Sequence, residues 1–140
     1  MYNSVIGLLR NISMVEYVKV YCEVFAKIFL PAIRALIAEK LIEKYNLTQI
    51  EVAKKMGLTQ AAISHYLRSK RGAKAYNILK ANDDIDKHIE KIADALYREE
   101  NSFEVIYQGV CFICGWLREH EDVVKEIISD EKEILYPPLK

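Results

Sequence analysis

Cys111 and Cys114 stand three residues apart in the run GVCFICGWLREH, with His120 six residues beyond the second thiol. On a helix, residues at i and i+3 share a side. Two thiols so placed can bind zinc or an iron–sulfur cluster, or close a disulfide. A tetrahedral zinc site needs four ligands. Cys22 is the only other cysteine, and His120 is the nearest histidine. Free cysteine also behaves as a small hydrophobe, and Val110, Phe112 and Ile113 give these two apolar company. Three readings stand open: core thiols, a metal or iron–sulfur site on Cys22, Cys111, Cys114 and His120, or a redox disulfide. Of the other candidates, His88 sits among polar neighbours and reads as an edge residue, and Trp116 as core or interface.

A second set of residues could read a polymer rather than hold an ion. Gln60, Ala61, Ser64, His65 and Arg68 fall at offsets that make one continuous stripe on a helix. The stripe is polar without being the Glu/Lys mixture of an ordinary solvated face. Glutamine can bond an adenine edge in two places, alanine can meet a thymine methyl, and arginine can bond guanine. The run RSKRGAK follows at once, and its Lys70 and Arg71 can reach phosphates. Double-stranded DNA is the partner this chemistry suits.

The elements that must position the stripe are legible around it. Thr48 and Glu51 make a T-x-x-E capping box, with Leu47 and Val52 as a hydrophobic staple. The helix QIEVAKKM then stops at Gly57, which accepts a left-handed turn. Thr59 can cap the next helix, with Leu58 and Ile63 as its staple. Two short helices joined by a three-residue GLT turn result. Ala53 is small where they must cross, and Val52, Met56, Leu58, Ile63 and Tyr66 are apolar where the pair meets its core.

Charge supports the same reading. The net charge is zero, but residues 48–80 carry seven Lys/Arg against one Asp/Glu, while residues 81–140 carry seven against fifteen. A basic segment in an acidic remainder is what a polyanion-facing surface looks like. At 140 residues with 51% apolar content, the chain can build a real core. There is no run of eighteen uncharged apolar residues and no evident secretory signal, so a cytoplasmic protein is expected. No P-loop, Rossmann glycine pattern or nucleophile elbow appears, and an enzyme is not expected.

Almost everything else reads as helix. Val15, Val18, Cys22, Phe25 and Phe29 follow helical spacing, and Tyr17, Tyr21, Val24 and Ile28 add a second apolar stripe. Pro31 breaks or restarts that helix. Ile33, Leu36, Ile37 and Leu41 mark a helix over 32–45. Ile85, Ile89, Ile92 and Leu96 mark another after residue 82. Ser102 can cap the next, although Gly109 and Gly115 weigh against its being unbroken. EDVVKEIISDEKEI is a last short helix, and LYPPLK a tail.

At these residues the chain resembles small archaeal helix-turn-helix regulators of the Xre/Cro-repressor type, most strongly over LPAIRALIAEKLIEKYNLTQIEVAKKMGLTQAAISHYLRSKRG, residues 30–72. It looks like the DNA-binding part of regulators sometimes fused to a thiamine-phosphate synthase domain, and no such enzyme domain is expected in these residues. The resemblance implies that Gln49 touches a phosphate and that Thr59, Gln60, Ala61, Ser64 and His65 face the major groove. It also implies that the three cysteines belong together, since a CE before the LPAIRALIA helix and a later CxxC recur in such regulators.

The expected architecture is all-α: an N-terminal helical extension over 1–29, a helix-turn-helix core over 30–80 and a C-terminal helical dimerisation or sensor region over 81–140. The expected function is a sequence-specific transcriptional regulator, modulated through the cysteines if they hold zinc or an iron–sulfur cluster. One short recognition helix reads few bases, so a homodimer is expected. The apolar circumference of the Val15–Phe29 helix is one candidate interface, and the helices after residue 80 are the other. The competing reading is a helical interaction or metal/redox sensor module whose helix pair is structural.

Overall fold

The structure is a computed structural model, and it describes residues 23, 25–70, 73–98 and 102–128. Among these residues the regular structure is all helical. A π-helical turn, Phe25–Phe29, leads into α1 (Leu30–Tyr45), α2 (Gln49–Met56), α3 (Gln60–Ser69), α4 (Lys74–Ala81), α5 (Asp83–Arg98), α6 (Ser102–Glu119) and α7 (Glu121–Ile128). Val15, Val18 and Cys22 of the expected N-terminal helix lie outside the described residues, as does everything after Ile128.

Helix α1 is the hub. The expected stripe of Ile33, Leu36, Ile37 and Leu41 is buried, and so are Ala32, Ala35, Ala38 and Glu39. Residues 35–39 form an uninterrupted buried run, which covers more than a full turn of helix. A stretch of helix buried on every side must be enclosed by its neighbours, and α5, α3, α4, α2 and the π-helical turn all pack on α1. Pro31 sits in the first turn of α1, where its missing N–H has no helical partner to lose. The chain does not break before it: Phe29 keeps φ −84° and ψ −40°, and the wider π-helical turn delivers Phe25, Ile28 and Phe29 into the core.

The α1–α5 seam has an apolar centre and an ionic rim. Ile85, Ile89, Ile92 and Leu96 are buried, as their spacing predicts. Asn82 starts α5 by accepting the Ile85 N–H on Oδ1 at 3.1 Å. Along the rim, Lys40 pairs with Asp86 at 3.1 Å, and Lys44 with Glu90 at 3.0 Å and Asp94 at 2.9 Å. Tyr45 donates to Asp94 at 2.5 Å and stacks on Tyr97 with ring centroids 3.9 Å apart. The Tyr45 hydrogen bond, with help from Lys44, holds the Asp94 carboxyl below its ordinary range. Such rim pairs contribute about 0–1 kcal/mol each, so they set alignment more than stability.

Helix α6 runs unbroken through both glycines, against the sequence expectation. Gly109 marks a close crossing: a Cβ there would lie 2.5 Å from Cγ1 of Ile92 on α5. Helix α6 tolerates the glycine because only a bare backbone fits against that isoleucine. Gly115 is different, since a Cβ there would meet nothing within 4 Å. Ile113 and Leu117 anchor α6 in the core, and Val124, Ile127 and Ile128 anchor α7.

Gly109→Ala therefore sets two effects against each other. The helix gains about 1 kcal/mol in propensity, while overpacking against Ile92 costs about 1–3 kcal/mol. The expected net outcome in a urea melt is a lower midpoint, and a raised midpoint would show that α5 and α6 do not cross this tightly.

Candidate nucleic-acid interface

The two helices that carry the stripe are built by local capping. Thr48 Oγ1 accepts the Glu51 N–H at 3.2 Å, and Glu51 Oε2 accepts the Thr48 N–H at 2.7 Å, completing the capping box. Those two hydrogen bonds hold the Glu51 carboxyl below its ordinary pKa. Gly57 ends α2 at φ 68°, a left-handed conformation that glycine adopts without a Cβ clash. Thr59 then caps α3, its Oγ1 accepting the Ala62 N–H at 3.1 Å. Two helices leave the GLT turn with their polarity and start points fixed by four residues.

Packing decides which side of α3 faces out. Ile63 is its one fully buried residue, seated near the buried Val52, Ala53 and Met56 of α2 and the enclosed face of α1. Tyr66 is half-buried and accepts a hydrogen bond from Arg34 of α1 at 2.8 Å. The opposite side carries Gln60, Ala61, His65 and Arg68, all exposed, with Ser64 half-buried beside them. Gln49, the first residue of α2, is half-buried, and its neighbour Ile50 is 54% exposed. The expected reading stripe is thus a real surface. Thr59 lies at its edge, with its hydroxyl engaged as the cap.

Lys70 has a structural partner that sequence reasoning did not supply. Its ammonium reaches inward to Glu39 of α1 at 2.6 Å. Lys80 pairs with the other carboxylate oxygen at 2.5 Å, and the Tyr76 hydroxyl also donates to Glu39. Burial alone would raise the Glu39 pKa, but the hydrogen bonds from Lys70, Lys80 and Tyr76 outweigh it and hold the group at about 2. One buried carboxylate thereby ties the C-terminal end of α3 and both turns of α4 to α1. The only available signal was an acid set inside the apolar run ALIAEKL. Arg71, the other expected phosphate contact, lies outside the described residues.

The cysteines are less gathered than the stripe. Cys111 is exposed on α6, which removes it from the core, while Cys114 is half-buried and packs against the core. His120 follows the end of α6. Its ring stacks on Trp116 at 3.7 Å between centroids, and its Nδ1 lies 2.7 Å from the Trp116 carbonyl oxygen. Among the described residues no group of three or more His, Cys, Asp or Glu side chains is placed to hold a metal ion. Cys22, the third expected thiol ligand, lies outside them. His88 is half-buried against Phe112, ring centroids 4.1 Å apart, and burial lowers its pKa.

Residues 37–92 match the helix-turn-helix family HTH_3, a stretch that runs from the middle of α1 into α5 and covers less than half of the chain. The matched region is therefore a helix-turn-helix domain, with α2 and α3 as its two motif helices, and a match of this kind points to a DNA-binding transcription regulator. No curated protein and no solved structure matches the chain. No described helix is long and apolar enough to cross a membrane.

Two stability tests follow from this construction. Thr59→Ala removes the α3 cap and is expected to destabilise the fold by about 1 kcal/mol in urea melts, and an unchanged midpoint would remove the cap's role. Glu39→Gln is expected to cost about 1–3 kcal/mol at about pH 7. Because the Glu39 pKa falls from 4.5 to about 2 on folding, its stabilisation is complete above the unfolded value and is lost as pH drops through that interval. Wild type should therefore lose more stability than Glu39→Gln between pH 4.5 and about 2, and parallel acid profiles would show that the carboxylate is not held as described.

Proposed function

We propose that this chain is a sequence-specific DNA-binding transcription regulator of the cytoplasm that acts as a homodimer and reads the major groove with α3. The observation that carries the reading is the outward face of α3: Gln60, Ala61, His65 and Arg68 are exposed on a helix whose opposite side is seated by Ile63, inside a region matching the helix-turn-helix family. Gln60 and Ala61 lie in the first turn, the part of a recognition helix that meets base edges. Gln60 suits adenine, Ala61 a thymine methyl and Arg68 guanine or a phosphate.

Gln49 at the start of α2 is suited to a phosphate, since helix N-termini present free N–H groups to anions. Lys70 serves this reading chiefly as a support, because its ammonium already neutralises Glu39. Phosphate contact then falls to Arg68 and Arg71. The excess of six positive charges over residues 48–80 favours salt-sensitive association by counterion release. A single α3 reads only a few base pairs, so two copies would address half-sites about one helical turn, ~34 Å, apart.

Site selection from random duplexes tests this directly. Gln60→Ala is expected to lose about 1–3 kcal/mol of discrimination at one base position. Arg68→Ala should reduce the slope of log affinity against log salt by about 1 if it meets a phosphate. A selected site and affinity that are both indifferent to Gln60→Ala would overturn the groove assignment.

A further inference from the structure

Helix α6 keeps an outward face that a solvated helix would not. Phe103, Tyr107 and Phe112 are 77%, 61% and 53% exposed, and Cys111 and Gly115 are exposed beside them. Glu104, Tyr107, Cys111, Gly115 and Arg118 follow three- and four-residue steps, so they form one stripe along the helix. Within this 18-residue helix the stripe from residue 104 to residue 118 is about 21 Å long.

The stripe is self-complementary about its centre. Tyr107 and Gly115 lie four residues to either side of Cys111, and Glu104 and Arg118 lie seven to either side. An antiparallel copy of α6, turned about a two-fold axis at Cys111, sets the large Tyr107 against the bare backbone of Gly115. It also sets the exposed, acidic Glu104 against the half-buried, basic Arg118, and each pairing occurs twice. Gly115 has the space to receive a ring, since a Cβ on it meets nothing within 4 Å of its own chain. A parallel copy would instead bring Glu104 to Glu104 and Tyr107 to Tyr107. A two-fold interface must match itself in this way, whereas a foreign partner imposes no such symmetry on one helix.

We propose that this face of α6 is the homodimer interface, occupied by the antiparallel α6 of a second copy. The proposal rests on the homodimer reading above and gives it a location. The geometry leaves the DNA side clear: α6 packs on α5, α7 and α2, whereas α3 packs on α1 and α2. The small residues at the crossing point, Cys111 and Gly115, let two helix backbones approach closely, and Phe103 and Phe112 flank the contact.

Sedimentation of the full chain at micromolar concentration, with oxidative cross-linking, tests the interface. Wild type is expected to sediment as a dimer. Tyr107→Glu and Gly115→Leu are each expected to weaken it by at least about tenfold in Kd, with helical circular dichroism retained. Gly115→Leu guards against misfolding, since it replaces a helix-weakening residue in open space. Mild oxidation should link wild type and Cys114→Ser into covalent dimers and leave Cys111→Ser unlinked. A wild-type dimer unmoved by both variants and not linked through Cys111 would overturn the interface while leaving the homodimer. A monomeric wild type would overturn both. DNA binding measured on the same samples reports separately on α3.

Discussion

The enclosure of α1 is the constraint on which the rest of the structure depends. A helix whose middle, residues 35–39, is buried around its whole circumference cannot lie on a surface, so every other described element except the α6–α7 pair packs against it. Its small residues, Ala32, Ala35 and Ala38, let those elements come close, and its large ones, Ile33, Leu36, Ile37 and Leu41, fill the space between them. The single charged group buried in this interior among the described residues, Glu39, is the anchor for α3 and α4. A buried carboxylate is costly unless paired and hydrogen-bonded, and the pairing of Glu39 uses residues from both of those helices. The arrangement makes their docking conditional on one another.

Helix α3 shows why such an anchor is needed. A surface that must present polar side chains to a partner cannot also be buried, and α3 keeps only Ile63 fully inside. One apolar side chain supplies roughly 1.5–3 kcal/mol of burial, too little to hold ten residues against their conformational entropy. The deficit is met at the ends and edges: the Thr59 cap at the start, the Arg34–Tyr66 hydrogen bond in the middle, and Lys70 on Glu39 at the finish. Burial of Ile63, with Tyr66 and Leu67 partly buried against the core, is thus supplemented by one local cap and by polar contacts to α1, placed where they do not occupy the exposed stripe.

The charge asymmetry also acquires a physical meaning in three dimensions. Part of the acidic excess after residue 80 is turned toward α1, where Asp86, Glu90 and Asp94 meet Lys40 and Lys44. Those pairs neutralise lysines away from the motif and leave the basic residues of 48–80 as the local field around α3. Under the proposed function, that local field favours association of the α3 side with a polyanion.

Local chemistry made the motif readable without coordinates. The capping box at Thr48 and Glu51, the left-handed Gly57, the Thr59 cap and the apolar spacing of α1 and α5 all depend on residues within one or two turns of each other, and the chain alone determined them. The outward stripe of α3 was legible for the same reason, since helical periodicity places Gln60, Ala61, His65 and Arg68 opposite Ile63. Only the tertiary structure decided what lies across a packing seam. It gave Lys70 a carboxylate partner 31 residues earlier, joined Arg34 to Tyr66, and set Gly109 of the unbroken α6 against Ile92. It also put Cys111 outside the core, although its apolar neighbours in sequence had left a core thiol among the open readings. In each case the deciding partner is distant along the chain, and periodicity within one helix carries no information about which neighbour its faces will meet.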